Sequence, residues 1–401
     1  MSRRPKKHAS ILPYGLPFPR GEGEQGAVNA KTKTKPAREE TSMTEIGSRP
    51  GAQAFEAALA ASDTRVAEFE VRAKSPLRSL QHFLHANPTV VPAIVLLIGV
   101  AAFSVIVGSR FLSTFNLSLI IQQVTIIGVV GIAQTLIVIT AGIDLSVGAI
   151  MVLCSVVMGR LAVISGVPVL LALVAGIATG AGCGALNGVL VTRVKLPPFI
   201  VTLGTWSIFF ALNLWYSASE TIRAQDVANA APFLQWLGTP VDLFGARFTY
   251  GSFFLLALLA LVWFVLNRTA FGRHLYAVGD DPDAARLAGI RTERVLFSVY
   301  VLAGLICALG AWTLIGRIGS VSPQAGQTAN LDSITAVVVG GASLFGGRGS
   351  IIGTLIGALI VGVFRNGLAL GGVDVLWQEF TVGWLIIIAV ALDQWIRKVS
   401  A

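Results

Sequence analysis

Asp281, Pro282 and Asp283 lead into Ala284, Ala285, Arg286, Leu287 and Ala288, and Gly289 follows. An acid ahead of proline is a helix N-cap, a second acid puts negative charge into the first turn, and glycine ends the helix. These residues therefore predict a short helix that starts and stops itself inside the polar stretch 267–294. Its chemistry is mechanical: it suits docking on a partner, or lying inert at a membrane surface. Other residues invite catalytic readings and fail them. Gly341 and Gly346 have the spacing of a phosphate-binding loop, but Gly347 stands where lysine is required. Gly347 and Gly349 open a dinucleotide fingerprint whose third glycine, Gly353, arrives one position late. No HExxH, CxxC or GxSxG string occurs, and Cys154, Cys183 and Cys307 lie in apolar runs without metal-ligand spacing. The chain is thus expected to be no enzyme, to hold no metal or cofactor, and to hydrolyse no ATP itself.

The elements that must position the short helix belong to a membrane. Of 401 residues, 54% are hydrophobic and only 13% charged, which excludes an ordinary soluble protein. A hydrocarbon core about 30 Å thick takes about 20 apolar residues of helix. Runs near that length recur at 90–109, 117–140, 147–164, 167–189, 199–216, 250–266 and 295–315. Shorter runs at 334–345, 351–364 and 380–392 must extend, tilt or stop partway. The expected fold is an all-α polytopic membrane protein of about ten transmembrane helices, spanning 88–398. Residues 1–87 are a different material, holding 14 of the 30 Lys and Arg and 9 of the 21 Asp and Glu. They predict a polar cytoplasmic extension drawn to anionic lipid, not to nucleic acid.

With a cytoplasmic N-terminus and ten spans, Arg193, Lys195, Arg268, Arg273, Arg286, Arg291, Arg294, Arg348, Arg397 and Lys398 fall inside. Arg110, Arg160, Arg223, Arg247, Arg317 and Arg365 fall outside. The excess of inside cations follows the positive-inside rule, so both termini and the 267–294 loop are expected in the cytoplasm.

Four-residue periods place Gly176, Gly180, Gly184 and Gly188 on one helix face and Gly349, Gly353 and Gly357 on another. Such ladders let backbones approach closely and read as helix packing. GIDLSVG at 142–148 and GASLFGG at 341–347 share Gly, Leu and Gly at matching offsets, the mark of an internal repeat of two halves. Asp144, beside Ser146, has two readings, a helix cap and part of an inner gate. Gln122, Gln134 and Asn187 are candidates to hydrogen-bond a passing solute or to bridge helices. In the long polar segment before the run at 250, Glu220, Arg223, Asp226, Trp236 and Arg247 mix charge with an aromatic ring, as docking surfaces do.

Asp283-Ala284-Ala285 followed by Gly289 resembles the EAA…G coupling motif of bacterial ATP-binding cassette (ABC) importer permeases, with Asp for Glu. GIDLSVGA at 142–149, LNGVLV at 186–191, KLPPFIVTLG at 195–204 and SLFGGRGSIIGTLIGA at 343–358 resemble, in order and spacing, permeases of the ribose, xylose, galactose and fructose type. ETIRAQD at 220–226, GDDPDAARLAGI at 279–290 and LIGRIGSVSP at 314–323 look most like rhizobial fructose permeases. The resemblance runs from residue 90 onward and leaves the polar head uncovered.

It implies a type II-like permease in the bacterial inner membrane, working as a homodimer with a periplasmic sugar-binding protein and a cytoplasmic ATPase that binds the ATP and Mg. It also implies a monosaccharide cargo, fructose first, with ribose, mannose or xylose as other candidates. Ala284 and Ala285 would then fill a groove on the ATPase, Arg286 would offer it a salt bridge, and Gly289 would end the helix. The competing class is an ion-coupled secondary transporter, which the docking helix and the scarcity of buried acids disfavour.

Overall fold

The computed structural model describes residues 89–397 apart from Phe244 and Gln327, all within the unit Arg72–Ala401. The polar extension at 1–87 and Lys398 lie outside the described residues. The helices are α1 Val90–Val107, α2 Thr114–Ile139, α3 Val147–Gly159, α4 Val169–Thr192, α5 Pro198–Ser217, α6 Ala224–Ala230 and α7 Tyr250–Arg268. They continue as α8 Ala270–Asp280, α9 Pro282–Leu287, α10 Thr292–Ile318, α11 Ala329–Val339, α12 Ile351–Leu370 and α13 Val375–Arg397. An antiparallel hairpin, β1 Pro240–Leu243 with β2 Ala246–Thr249, pairs Asp242 with Arg247.

Among the described residues eight helical stretches are long and apolar enough to cross a membrane: α1 through α5, α7, α10 and α12, with α3 reaching the needed length through the π-helical turn Arg160–Ile164 that continues it. Helices α11 and α13 carry shorter apolar segments. The run at 351–364 lengthens into the 20 residues of α12, and that at 380–392 sits inside the 23 residues of α13. The run at 334–345 is different. Its helix begins earlier, at Ala329, and ends at Val339, so eleven residues give a rod of about 16 Å, short of the core thickness. The chain between α10 and α11 is irregular, tied to the rest by an Ile222–Val321 bridge and by Asn213 Nδ2 donating to Pro323 O at 2.7 Å.

Helices α2 and α3 are buried along most of their length, and their sequences are apolar on every side, as central helices must be. Helix α10 packs lengthwise on α4. A methyl group at Gly180 would meet the carbonyl oxygen of Gly304, one at Gly184 that of Tyr300, and one at Gly304 that of Gly180. Helices α11 and α12 approach in the same manner, Gly353 against Gly340 O and Gly357 against Ala336 O. Gly176 seats Met158, Gly188 seats Phe297, and Gly349 lies against Ile139 and Ala342.

Helices α2 and α11 finish with the same turn. Ala141 N bonds Val138 O and Gly142 N bonds Ile137 O; Gly341 N bonds Val338 O and Ala342 N bonds Val337 O. Both turns use a left-handed residue, Ala141 at φ 59° and Gly341 at φ 89°. The structural correspondence is therefore Ala141 with Gly341, one position away from the Gly142 to Gly341 match that the sequence repeat suggests. Glycine is dispensable at one of the two left-handed positions, and that misaligned the letters.

Candidate functional site

Helix α9 is held by its two ends. Asp281 Oδ1 accepts the N–H groups of Asp283 and Ala284 at 2.9 and 3.0 Å, and Gly289 leaves the helix at φ 84°. Six residues cannot bury a full stripe, and only one side chain turns inward. Ala285 is 4% exposed, whereas Asp283, Ala284 and Ala288 are exposed and Leu287 stands 91% exposed. This corrects the expectation that Ala284 and Ala285 together enter a partner's groove: Ala285 anchors α9 to its own chain, and Ala284 and Leu287 form the outward face.

Arg286 does not wait unpaired for a partner. Its Nη1 lies 3.5 Å from Asp283 Oδ1 and its Nη2 3.5 Å from Thr292 Oγ1, long and exposed contacts that add little to stability. With Arg291 and Arg294 it rims a recess of about 400 Å³ that also holds Glu293.

Helix α8 links α9 to the transmembrane helices. Tyr276 Oη donates to Gly349 O at 2.8 Å, and burial raises the pKa of that phenol. Gly279 lies against Ile139 O and Gly347, while Gly347 N donates to Ile139 O at 2.9 Å. The turns that end α2 and α11 thus touch each other and α8, the helix directly ahead of α9 in the chain.

Asp144 lies in the loop between α2 and α3 and is buried. Its Oδ1 accepts both the backbone N–H and the hydroxyl of Ser146 at 2.6 Å, just ahead of α3. Asn187 on α4 donates from Nδ2 to Ser146 Oγ at 2.8 Å. Burial raises the Asp144 pKa, and the hydrogen bonds from Ser146 and Asn187 oppose the rise. The group ties the start of α3 to α4. Gln134 on α2 is wholly buried with neither side-chain polar atom paired among the described residues, and Asn187 Oδ1 is likewise unpaired there. Gln122 sits elsewhere, its Nε2 3.4 Å from Arg247 O beside the hairpin. The five candidates are not one site: Asp144, Ser146 and Asn187 cluster, while Gln122 belongs to the opposite end of α2.

At that opposite end Glu220, Arg223 and Asp226 are exposed and make no salt bridge among the described residues. Arg247 meets Asp242 across the hairpin at 3.4 Å. Trp236 stacks on Tyr250 with centroids 4.9 Å apart and neighbours Phe233 and Trp312, so its ring also holds this segment onto α7 and α10.

Sequence reasoning missed one constellation. Arg365, counted above among the outside cations, lies within α12 and is largely buried. Its Nη2 is 2.6 Å from Asp332 Oδ1 on α11, and its Nη1 is 2.7 Å from Glu379 Oε1 on α13. The signal was a charge ending an apolar run, with Asp332 and Glu379 ahead of two other apolar runs. Ionisable residues inside spans pair with one another or mark function.

The sequence pattern of the branched-chain amino acid transport system / permease component family matches residues 116–390. The fructose import permease protein of Rhizobium meliloti is 60% identical over 349 residues, covering 87% of this chain and 97% of that protein. The ribose import permease protein of Bacillus subtilis strain 168 is 39% identical over 302 residues, 74% of this chain and 89% of that protein. The galactose/methyl galactoside import permease protein of Escherichia coli strain K12 is 33% identical over 311 residues, 75% and 92% respectively. No solved structure matches the chain.

Proposed function

The chain belongs to the branched-chain amino acid transport system / permease component family, as a multi-pass membrane permease and not an enzyme, and we propose that it carries a monosaccharide inward, fructose first. The relatives above import fructose, ribose and galactosides by name, and ribose, mannose or xylose are the further candidates. In this reading a cytoplasmic ATPase binds ATP and Mg, a periplasmic binding protein delivers sugar, and two copies of the permease enclose the path in the inner membrane. Both termini and α9 face the cytoplasm, and Glu220, Arg223, Asp226, Trp236 and Arg247 face the binding protein.

The observation that carries the reading is α9, a helix capped at both ends, anchored by Ala285 and presenting Ala284 and Leu287 outward. ATP binding closes the ATPase subunits and moves the groove that holds Leu287. The pull passes along α8 to the turns at 139–142 and 340–349, where Asp144 and Asn187 shape the inner gate. An ion-coupled mechanism needs a carboxylate free to exchange a cation. Asp332 and Glu379 are both held by Arg365, and Asp144 is held by Ser146.

The test is ATP-dependent fructose uptake by vesicles holding this chain, its ATPase and its binding protein, with and without Leu287→Asp. A residue so exposed leaves the fold's stability within about 0.5 kcal/mol when substituted. The expected result is wild-type uptake that needs all three components, lost with Leu287→Asp while membrane insertion is unchanged. Uptake by the chain alone, driven by an ion gradient and indifferent to the substitution, would sink the proposal.

A further inference from the structure

Irregular backbone at membrane depth is tolerated where it is buried in protein or lines a cavity. The irregular chain ahead of α11 lines one of about 340 Å³, a volume within the range of small-molecule sites. Its other walls are the start of α3 at Gly148, the α5 residues Trp206, Phe210 and Asn213, and Asn330 at the start of α11.

The chemistry of these walls is divided. Trp206 and Phe210 stack with their planes 16° apart and centroids at 6.1 Å, an aromatic pair on the cavity wall. The polar wall is two amides, each half engaged. Asn213, 1% exposed, donates from Nδ2 to Pro323 O and keeps Oδ1 without a partner among the described residues. Asn330 accepts the Gly148 N–H on Oδ1 at 2.5 Å, and its Nδ2 makes no hydrogen bond within the described residues. The cavity wall therefore carries one spare acceptor and one spare donor beside an aromatic pair. None of its lining residues is charged.

That combination selects a ligand class. An amino acid zwitterion requires countercharges and finds none here, since unpaired charge in a dry site is costly. A neutral polyol meets every wall. The C–H faces of a sugar ring carry slight positive charge and suit the negative π-face of an indole, while each hydroxyl both donates and accepts. Two hydrogen bonds and one stack also suit a solute that must leave again.

We propose that this cavity is where the permease itself contacts its neutral monosaccharide, ring face on Trp206 and Phe210, hydroxyls on Asn213 Oδ1 and Asn330 Nδ2. The assignment rests on the reading of the chain as a sugar permease. It gives the pore a selectivity of its own, for neutral over charged solutes, in addition to whatever the binding protein selects.

The experiment uses the full complex with its ATPase and binding protein in vesicles, measuring fructose uptake and binding-protein-stimulated ATP hydrolysis together. Trp206→Leu keeps the bulk and removes the ring; uptake is expected to fall roughly tenfold, about 1.4 kcal/mol, with hydrolysis within about twofold. Trp206→Phe, which restores a π-face, is expected to recover most of the uptake. As a reading independent of turnover, Ala325→Cys, on the cavity wall and leaving both rings in place, is labelled with a thiol reagent, the native Cys154, Cys183 and Cys307 being buried. Slower labelling in saturating fructose supports the site even if Trp206→Leu disturbs assembly. Undiminished uptake by Trp206→Leu, or labelling that fructose leaves unchanged, overturns the site while the permease reading stands. Wild-type vesicles that import no monosaccharide overturn the cargo assignment and this site with it.

Discussion

The seam between α4 and α10 and the start of α11 hold helices together by opposite means. Along the seam, Gly180, Gly184 and Gly304 bring two backbones into contact with no side chain between them. Such packing is short-ranged, spread over the whole contact and without alternative partners, which makes α4 and α10 one block. The start of α11 is held by named polar groups: Asp332 by Arg365, and Asn330 by the Gly148 amide. These contacts are directional, and one cation, Arg365, serves two acids, Asp332 and Glu379. A permease that alternates between states needs blocks that do not deform and joints that exchange partners. This molecule builds the first from glycine and the second from charge.

Removing the arginine tests the joint most severely. Arg365→Met leaves Asp332 and Glu379 without their cation, and breaking a buried pair from one side costs about 3–5 kcal/mol. The expected result is a large drop in thermal resistance in detergent and loss of uptake. The control is the triple variant Arg365→Met, Asp332→Leu, Glu379→Leu, which removes every charge together. Replacing a complete buried network by apolar groups is often close to neutral. Restored stability without restored uptake would show that the charges serve the exchange of partners. Restored uptake would reduce them to packing.

Next in size is an attack on the seam. Gly184→Leu drives a side chain into the Tyr300 carbonyl, which belongs to a helix and cannot give way as a side-chain tip would. Overpacking costs roughly 1–3 kcal/mol, occasionally more. Lower yield of folded protein is expected, with no variant at Tyr300 able to rescue it, since the obstacle is backbone. Rescue by Tyr300→Ala would mean that the contact is softer than the geometry shows.

The two regions were unequally legible. The glycine seam is written locally, in a period of four, and so are the caps of α9, because Asp281 and Gly289 act within a few residues of themselves. The face of α9 was not legible: with fewer than two turns there is no period to say that Ala285 points inward and Leu287 outward. The joint at α11 was hidden for a related reason. Arg365 ended an apolar run and so looked like the edge of a span, whereas a charge neutralised by Asp332 and Glu379 does not end a helix. Its partners are 33 and 14 residues away, beyond the reach of any local pattern. The run at 334–345 misled in the other direction, since apolarity continues past Val339 although the left-handed turn at Gly341 has already closed the helix.

The smallest effect belongs to a contact intermediate between the two kinds. Thr135 on α2 and Thr354 on α12 place their hydroxyl oxygens 2.6 Å apart in a buried position, a neutral polar link where the joint uses charge. Each hydroxyl also has a carbonyl one turn back on its own helix, Thr135 with Gly131 O and Thr354 with Ser350 O. Cutting the link therefore strands neither group. Thr354→Val is nearly isosteric and leaves the Thr135 hydroxyl bonded to Gly131 O, so the expected cost is only about 0.6 kcal/mol, the average for such bonds between membrane helices. The check is reversible unfolding in mixed detergent, run beside Thr135→Val and the double variant. A coupling energy near this value separates a replaceable hydrogen bond from the charged joint at Arg365. A coupling of several kcal/mol would erase the distinction and make polar contacts of either kind equivalent in this fold.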